Sequence, residues 1–383
     1  MTKALAVDSL SQAYEVIKEM NLSQDWESDY RAASPHAVAT ILEDRMHERT
    51  DRYLAEMGRS ISDRRNGSFS RHLLTELGDI VINIPRTRKW SPLDVVRTYC
   101  RRVASVDRMI LCCFVLGLST RKVAHALVPV LGEAVSAATV SRVARALDSV
   151  VEAFHQRPLQ KKYRFLVFDG VVLKRKTGVG AVKRTVLVAL GITAEGKKEI
   201  IDFRVAPSES QAAWDVFLSD LYRRGLSGNT TKLIITDGGT GLLGALPFVY
   251  PHIPLQRCWA HKIRNVLNYV RKSDRETVKK DLHTICYAKG IRTARSALRD
   301  FAHRWNITYP RAVKALQRNE EELLAFMNIK DPPVWPTIRT TNAIERRFRE
   351  VKRRTRPMGV FADTTSMERI LYAVFAHENA KQH

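Results

Sequence analysis

The chain has 383 residues, 45% of them hydrophobic, enough for two or three domains with real cores and too apolar for wholesale disorder. Lys and Arg total 63 against 40 Asp and Glu, a formal net charge of +23, which predicts a polyanionic partner, most commonly nucleic acid. No uncharged run is long enough to span a membrane, which argues against a membrane protein.

The opening stretch MTKALAVDSLSQAYEVIKEM carries acids and lacks the apolar core of a secretory signal. The five cysteines, an odd number, fit reduced thiols in a cytosol. Residues 1–60 read as a helical segment of mixed charge with no assigned role. Residues 61–106 read as a basic β-hairpin region. In DIVINIP, Ile80, Ile82 and Ile84 alternate onto one face, a strand pattern. Arg64, Arg65, Arg71, Arg86, Arg88 and Lys89 surround that strand, and Arg86 and Arg88 are candidate DNA-backbone contacts. A solvated hairpin is the plainer alternative.

Residues 107–155 carry a helix-turn-helix pattern. Gly117 closes one helix and Ser119 or Thr120 opens the next. A further helix opens at Ser136 and runs on through Leu147, with Val140, Val143 and Leu147 as its buried face. Thr139, Ser141, Arg142 and Arg145 fall on its exposed side, where a recognition helix would meet the major groove. An ordinary helical bundle is the alternative.

The polar stretch QRPLQKKYR at 156–164 marks a boundary. Strands follow: RFLVFDG ending in Asp169, then KRTVLVALGIT and KEIIDFRVA. Next come an amphipathic helix with Trp214, Phe217, Leu218 and Leu221 inward, the strand TKLIITDGG ending in Asp237, a short helix, and the strand HIPLQRC. Residues 260–330 read as all helix with Trp305 and Phe326 in the core, and helix continues over 341–378. The order is that of an α/β mixed sheet interrupted by an all-helical insertion.

Two apolar strands each end in Asp-Gly, where a sheet rim exposes its last side chain to ligand. The glycine allows a tight departure, although Asp-Gly also simply starts turns. Phosphodiester chemistry with two metal ions needs converging carboxylates, more than two of them. Glu345, inside the basic stretch TTNAIERRFREVKRRTR, is the candidate third acid. The TTN triplet supplies helix-cap residues before it. Ile344, Phe348 and Val351 form an apolar face, with Glu345, Arg349 and Lys352 on the adjacent one. A surface Glu–Arg pair would contribute little.

Asp169, Asp237 and Glu345, with QRCWAHKIRN between the second and third, resemble the Mutator-like DDE transposases of bacterial insertion sequences. The resemblance spans roughly residues 60–378 and includes RRNG, IPRTR, GLSTRKVAHAL, FDGVVLKRK, TDGGTGL and TTNAIERRFREVKRRT. It implies a ribonuclease-H-like catalytic domain at 160–258 and 338–383, interrupted by a helical insertion at 259–337. It implies Asp169, Asp237 and Glu345 as catalytic ligands of two Mg²⁺ (or Mn²⁺) ions. Lys352 matches a phosphate-contacting position of the family, with Arg349 and Arg353 beside it, and residues 107–155 would recognise the element's terminal inverted repeats. Cys258 and His261 match the family's signature between the second and third acids.

Cys258 and His261 also lie upstream of His283 and Cys286, a conceivable zinc pattern. The preferred reading puts Cys286 in a helix core and gives Cys258 and His261 a supporting role near the site. Trp259 is a candidate for stacking on an unpaired base. Double-stranded DNA is the expected partner, a homodimer the expected assembly, and the cytoplasm, at the bacterial nucleoid, the expected location. Two alternatives use the same features: a ribonuclease-H-like nuclease without joining activity, and a non-enzymatic helix-turn-helix regulator.

Overall fold

The computed structural model describes residues 25–58, 60–96, 102–131, 135–177 and 180–381. Readings on residues 1–24 lie outside the described residues. The chain divides into two compact units, Met1–Phe114 with Leu118–Val143, and Val115–Gly117 with Ala144–His383. The division falls upstream of the polar stretch at 156–164.

In the first unit, helix α1 (Asp25–Tyr53) covers a two-stranded antiparallel hairpin, β1 (Arg65–Thr75) and β2 (Gly78–Thr87). Ile80, Ile82 and Ile84 alternate inward as the period of two requires, and they pack with Ala39 and Met46 of α1. The intervening Val81 and Asn83 face outward. Helices α2 (Ala104–Val115), α3 (Thr120–Leu131) and α4 (Ala137–Ala144) follow. The Ser119 hydroxyl accepts from the Lys122 N–H at 3.3 Å and that of Ser136 from the Thr139 N–H at 3.1 Å, so both expected caps form.

The helix opening at Ser136 does not continue through Leu147. It stops at Ala144, and α5 (Leu147–Gln156) begins after a turn at Arg145–Ala146. Val140 and Ala144 make the buried face, while Val143 and Leu147 are only half-buried. The turn has a physical cause on its far side. Asp148 of α5 accepts from the Arg369 guanidinium at 2.8 Å, and Phe154 packs edge-on against Tyr372 at 5.2 Å. These contacts fix the direction of α5 within the second unit.

The second unit is built on a five-stranded sheet. Its strands are β3 (Phe165–Thr177), β4 (Gly180–Ile192), β5 (Lys198–Ala206), β6 (Leu233–Thr236) and β7 (Leu255–Arg257), in the order β5-β4-β3-β6-β7. The first three are antiparallel neighbours, and β6 and β7 add in parallel. β3 does not end at Asp169. It runs eight residues further to Thr177, because Val171 and Leu173 stay buried and Lys174–Thr177 keep pairing with β4. Asp169 therefore sits mid-strand.

Helices α6 (Gln211–Arg223) and α7 (Thr240–Val249) cover one sheet face. Leu166 and Phe168 of β3, Leu187 and Ala189 of β4, and Ile234 of β6 meet Trp214, Phe217, Leu218 and Leu221 there, as the helix pattern predicts. The central strands are buried on both faces, which is why they read as unbroken apolar runs.

Between β7 and the returning chain the structure is helical: α8 (Trp259–Leu267), α9 (Arg275–Cys286), α10 (Ile291–Trp305), α11 (Pro310–Gln317), α12 (Glu320–Leu324) and α13 (Trp335–Ile338). Phe326 is fully buried as expected, but Trp305 is not core. Its indole N–H reaches Asp281 at 2.8 Å at the surface, and Phe301 fills the interior instead. The expected continuous helix over 341–378 is two helices, α14 (Asn342–Thr355) and α15 (Thr364–Ala380). The break arises because Phe361 pairs with β3 through Lys176 N–H at 2.7 Å and Lys174 C=O at 3.2 Å. α15 then lies against β5, with Phe375 at 5.4 Å from Phe203.

Trp214 is fully buried at the centre of the first face. Trp214→Ala is expected to cost about 3–5 kcal/mol, the usual penalty for emptying a large aromatic site. A lowered midpoint in chemical denaturation, followed by tryptophan-independent circular dichroism, checks it.

Candidate active site

The parallel ladder of β6 on β3 runs from Phe165↔Leu233 to Phe168↔Thr236. The next residue on each chain is an aspartate, Asp169 and Asp237, so the register itself sets two carboxylates side by side where the ladder ends. Side-chain alternation puts Asp169 on the face opposite the Trp214 core, since Leu166 and Phe168 occupy that one. Asp169 is 7% exposed, and burial first, then the Asp237 charge, pushes its carboxyl up to about 7. The Gly170 N–H donates to Asp169 Oδ1 at 2.7 Å and the Gly239 N–H to Asp237 Oδ1 at 2.9 Å. Two neighbouring acids, one of them buried, resist ionising together unless a cation joins them.

A third acid at this point, Glu209, was not singled out from the sequence. A methyl group built on Gly239 would lie 3.3 Å from Glu209 Oε1 and 3.4 Å from Asp237 Oδ1, which locates the two carboxylates on either side of one glycine. Glu209 Oε1 is buried with no hydrogen-bond partner, and burial, then the Asp237 charge, raises its carboxyl above the ordinary range. Glu209 directly precedes Ser210, whose hydroxyl caps α6 by accepting from the Ala213 N–H at 3.3 Å. In the sequence, Glu209 stands at the head of ESQAAWDVFLSDLYRRGL, which reads as an amphipathic helix. Only the contact of the α6 and α7 starts brings it to Asp237. That contact is close: a Cβ on Gly241 would meet the Glu209 carbonyl oxygen at 2.3 Å. Gly238 is also held in the left-handed region at φ 94°, with Arg257 packed over it.

Glu345 lies in the first turn of α14, half-buried. Ile344, Phe348 and Val351 are buried beneath it, as the helix pattern requires. Thr341 does not cap the helix with its side chain. Its hydroxyl lies 3.2 Å from Glu345 Oε1 and 3.3 Å from Cys258 Sγ, and its N–H also donates to that sulfur at 3.3 Å. Ligand atoms of Cys258, His261 and Glu345 lie within 4.8 Å of one another, with His261 Nδ1 at 3.6 Å from Glu345 Oε1. Among the described residues, no such 4.8 Å set contains both Asp169 and Glu345. His261 lies beside Glu345 and within electrostatic reach of both aspartates. Its pKa is raised by hydrogen bonding to Cys258 against the opposing effect of burial, and further by the charges of Cys258, Asp169 and Asp237. Burial pushes the Cys258 thiol up, and bonds from His261 and Thr341 outweigh this and hold it below the usual thiol value.

The four-residue set Cys258, His261, His283 and Cys286 does not come together as one cluster; Glu345 takes the third place. Cys286 is core in α9, its thiol pushed up to about 12 by burial. Trp259 is likewise not available to a base. It is fully buried, and its indole N–H donates to the Leu323 carbonyl at 2.8 Å, 64 residues away.

On α14, Arg349, Lys352 and Arg353 are exposed, and Arg353 also pairs with Glu350 at 2.8 Å. Arg347 and Arg354 are buried and structural, Arg354 on Glu350 and Arg347 within 4.0 Å of Glu378. In the helical region, Arg142 and Arg145 are exposed and Ser141 half-buried. Arg86 and Arg88 are exposed on the hairpin, and Arg86 donates to the Asn66 carbonyl at 3.0 Å.

The family described as "Transposase, Mutator family" matches residues 6–383. The chain belongs to the Mutator family of transposases. It is similar to the transposase for insertion sequence element IS905 of Lactococcus lactis subsp. lactis (strain IL1403), 32% identical over 85% of this chain and 83% of the relative. The transposase for IS256 in transposon Tn4001 of Staphylococcus aureus is 29% identical over 89% of this chain and 88% of its own. That for IS1081 of Mycobacterium tuberculosis (strain ATCC 25618 / H37Rv) is 33% identical over 83% and 77%. A Mutator-family transposase acts on DNA, in keeping with the +23 charge. No helix among the described residues is long and apolar enough to cross a membrane.

Gly241→Ala is expected to drive the α6 and α7 starts apart and to cost about 1–3 kcal/mol, read as a lowered melting temperature. Gly290→Ala, where a methyl meets open space at the N-cap of α10, is expected to lower that temperature less, by no more than the N-cap preference for Gly over Ala.

Proposed function

We propose that this transposase binds the terminal inverted repeats of its element, cuts DNA at the element ends, and joins the freed 3′-hydroxyl to target DNA. In this reading the mixed sheet is a ribonuclease-H-like catalytic core, the helices at 259–337 its insertion, and residues 107–155 with the basic hairpin the end-recognition region. The carrying observation is the β3–β6 register, which ends with Asp169 beside Asp237.

Asp169, Asp237 and Glu345 would hold the divalent cations, Mg²⁺ or Mn²⁺, two per site. The donor set fits: hard carboxylate oxygens, one acid nine-tenths buried beside another, and a third carboxylate, Glu209, beside Asp237. Such ions, when bound, stabilise charge on the attacking and leaving oxygens of an in-line displacement. The remaining work falls to the chain. Glu345 is steered by the Thr341 hydroxyl and His261, and so is positioned before substrate arrives. Arg349, Lys352 and Arg353 continue along the exposed face of α14 and hold the phosphate backbone against three carboxylates that would otherwise repel it. In cleavage, a water oxygen bonds to phosphorus, the P–O3′ bond breaks, and the strand leaves as a 3′-hydroxyl. In joining, that hydroxyl oxygen attacks a target phosphodiester and loses its proton, and one target P–O3′ bond breaks. Two like element ends call for two like subunits, so a homodimer is the proposed assembly.

Asp169→Asn, Asp237→Asn and Glu345→Gln are each expected to lower metal-dependent nicking of a terminal-repeat duplex by about a thousandfold, with binding to that duplex retained. Joining of a pre-cut 3′ end is expected in the parent chain. Nicking without joining would instead identify a nuclease, and neither reaction a regulator. Full cleavage by any one variant would remove that residue from the site.

A further inference from the structure

Beside the Asp237–Gly238 turn lies a cavity of about 730 Å³ that the catalytic reading leaves unused. Gly238 and Thr240 form its rim on the sheet side, and α8 and α11 form its walls. Arg311, Lys314 and Arg318 line the α11 wall, at a spacing of three, then four residues that sets them along one helical face. All three are exposed. The acids nearest to them in sequence are taken: Glu322 pairs with Arg257, and Glu320 and Glu321 with Arg295. No ion pair with a carboxylate is formed by these three cations among the described residues. Behind them, Lys262 donates to the carbonyls of Ala315 and Arg318 at 3.0 Å each, which fixes the C-terminal end of α11 and adds a half-buried fourth cation. Burial first, and then the Arg257 charge, pushes that ammonium down to about 8. The lining is thus positive, with Glu322 already held by Arg257, and the three exposed cations are open to an entering anion.

The facing wall has different chemistry. Asn265, Asn268 and Tyr269 of α8 and its end line it, all three exposed, Tyr269 to 51%. Amide groups hydrogen-bond base edges, and an exposed aromatic ring offers a stacking surface. The volume falls in the range of small-ligand pockets, roughly 300–1,000 Å³, which is room for a nucleotide or two and not for a duplex.

We propose that this cavity receives unpaired nucleotides of the DNA strand that leaves the carboxylate site, with phosphate on Arg311, Lys314 and Arg318 and a base on Tyr269. Its position next to Asp237 makes it continuous with the reacting strand; in this respect the proposal rests on the catalytic reading, while the binding itself does not. Strand opening near the cut would then be captured on the helical segment.

The test uses the full chain without divalent metal, and two probes: a short single-stranded oligodeoxynucleotide carrying 2-aminopurine, and a duplex of the same sequence. Arg311→Glu with Lys314→Glu is expected to weaken single-strand binding at least about tenfold more than duplex binding, and to reduce the salt slope for the single strand by about 1.4. Tyr269→Ala is expected to abolish the 2-aminopurine quench while retaining the melting temperature of the parent. Equal losses on both probes, or an unchanged quench in Tyr269→Ala, would overturn the pocket. If the pocket variants behave as expected but Asp237→Asn still cleaves, the pocket stands and the catalytic reading falls. If Asp237→Asn is dead and the pocket variants bind like the parent, the reverse holds.

Discussion

Everything at the site depends on four residue pairs of parallel ladder between β3 and β6. A shift of one residue would turn Asp169 toward the Trp214 core and carry it away from Asp237. The shift is forbidden by packing: Leu166, Phe168 and Ile234 fill one face, and Phe165, Val167 and Ile235, all fully buried, fill the other. The apolar strands thus stabilise the fold and, by the same register, force two acids together. That placement is costly in the free protein: burial first, and then the Asp237 charge, raises the Asp169 carboxyl. The cost is offset by burial elsewhere in the sheet and would be relieved by bound cation.

Glu345 is positioned by a different route, beside Cys258 and His261. Between β7 and α14 the chain makes a long helical excursion and must return in register. Gln256 of β7 donates to the Leu323 carbonyl at 3.0 Å and accepts from the Phe326 N–H at 2.8 Å, and Trp259 adds its indole bond to Leu323. The Trp259 N–H bonds the Arg339 carbonyl at 3.0 Å, and Thr341 bonds Cys258. A buried amide, a buried indole and a buried thiol therefore tie the end of the last strand to the start of α14. The Cys-x-x-His signature thus stands beside the glutamate at this tie.

Much of this was legible in the sequence, for definable reasons. Continuous apolar runs leading into Asp-Gly marked the two strands, although only β6 stops there, and the four-three spacing of Ile344, Phe348 and Val351 marked the buried face of α14. What was illegible depended on distant partners. The continuation of β3 past Asp169 to Thr177 was hidden by the charges of Lys174, Arg175 and Lys176, which mask the pairing to β4. Trp259 looked exposed beside a polar motif, and only Leu323, far along the chain, decides its burial. Glu209 opens the segment ESQAAWDVFLSDLYRRGL, which reads as an amphipathic helix without a role for the acid; the close approach permitted by Gly241 is what brings it to the site. The basic stretch on α14 divides in a way that charge alone cannot reveal, with Arg347 and Arg354 interior and Arg349 and Lys352 at the surface.

The most direct test is anomalous diffraction from crystals of the full chain grown with Mn²⁺ and a DNA end. The account predicts a manganese peak within coordination distance of both the Asp169 and the Asp237 carboxylates, with Glu345 turned toward a manganese ion. Manganese bound elsewhere, with Asp169 and Asp237 left unliganded beside the DNA, would contradict it.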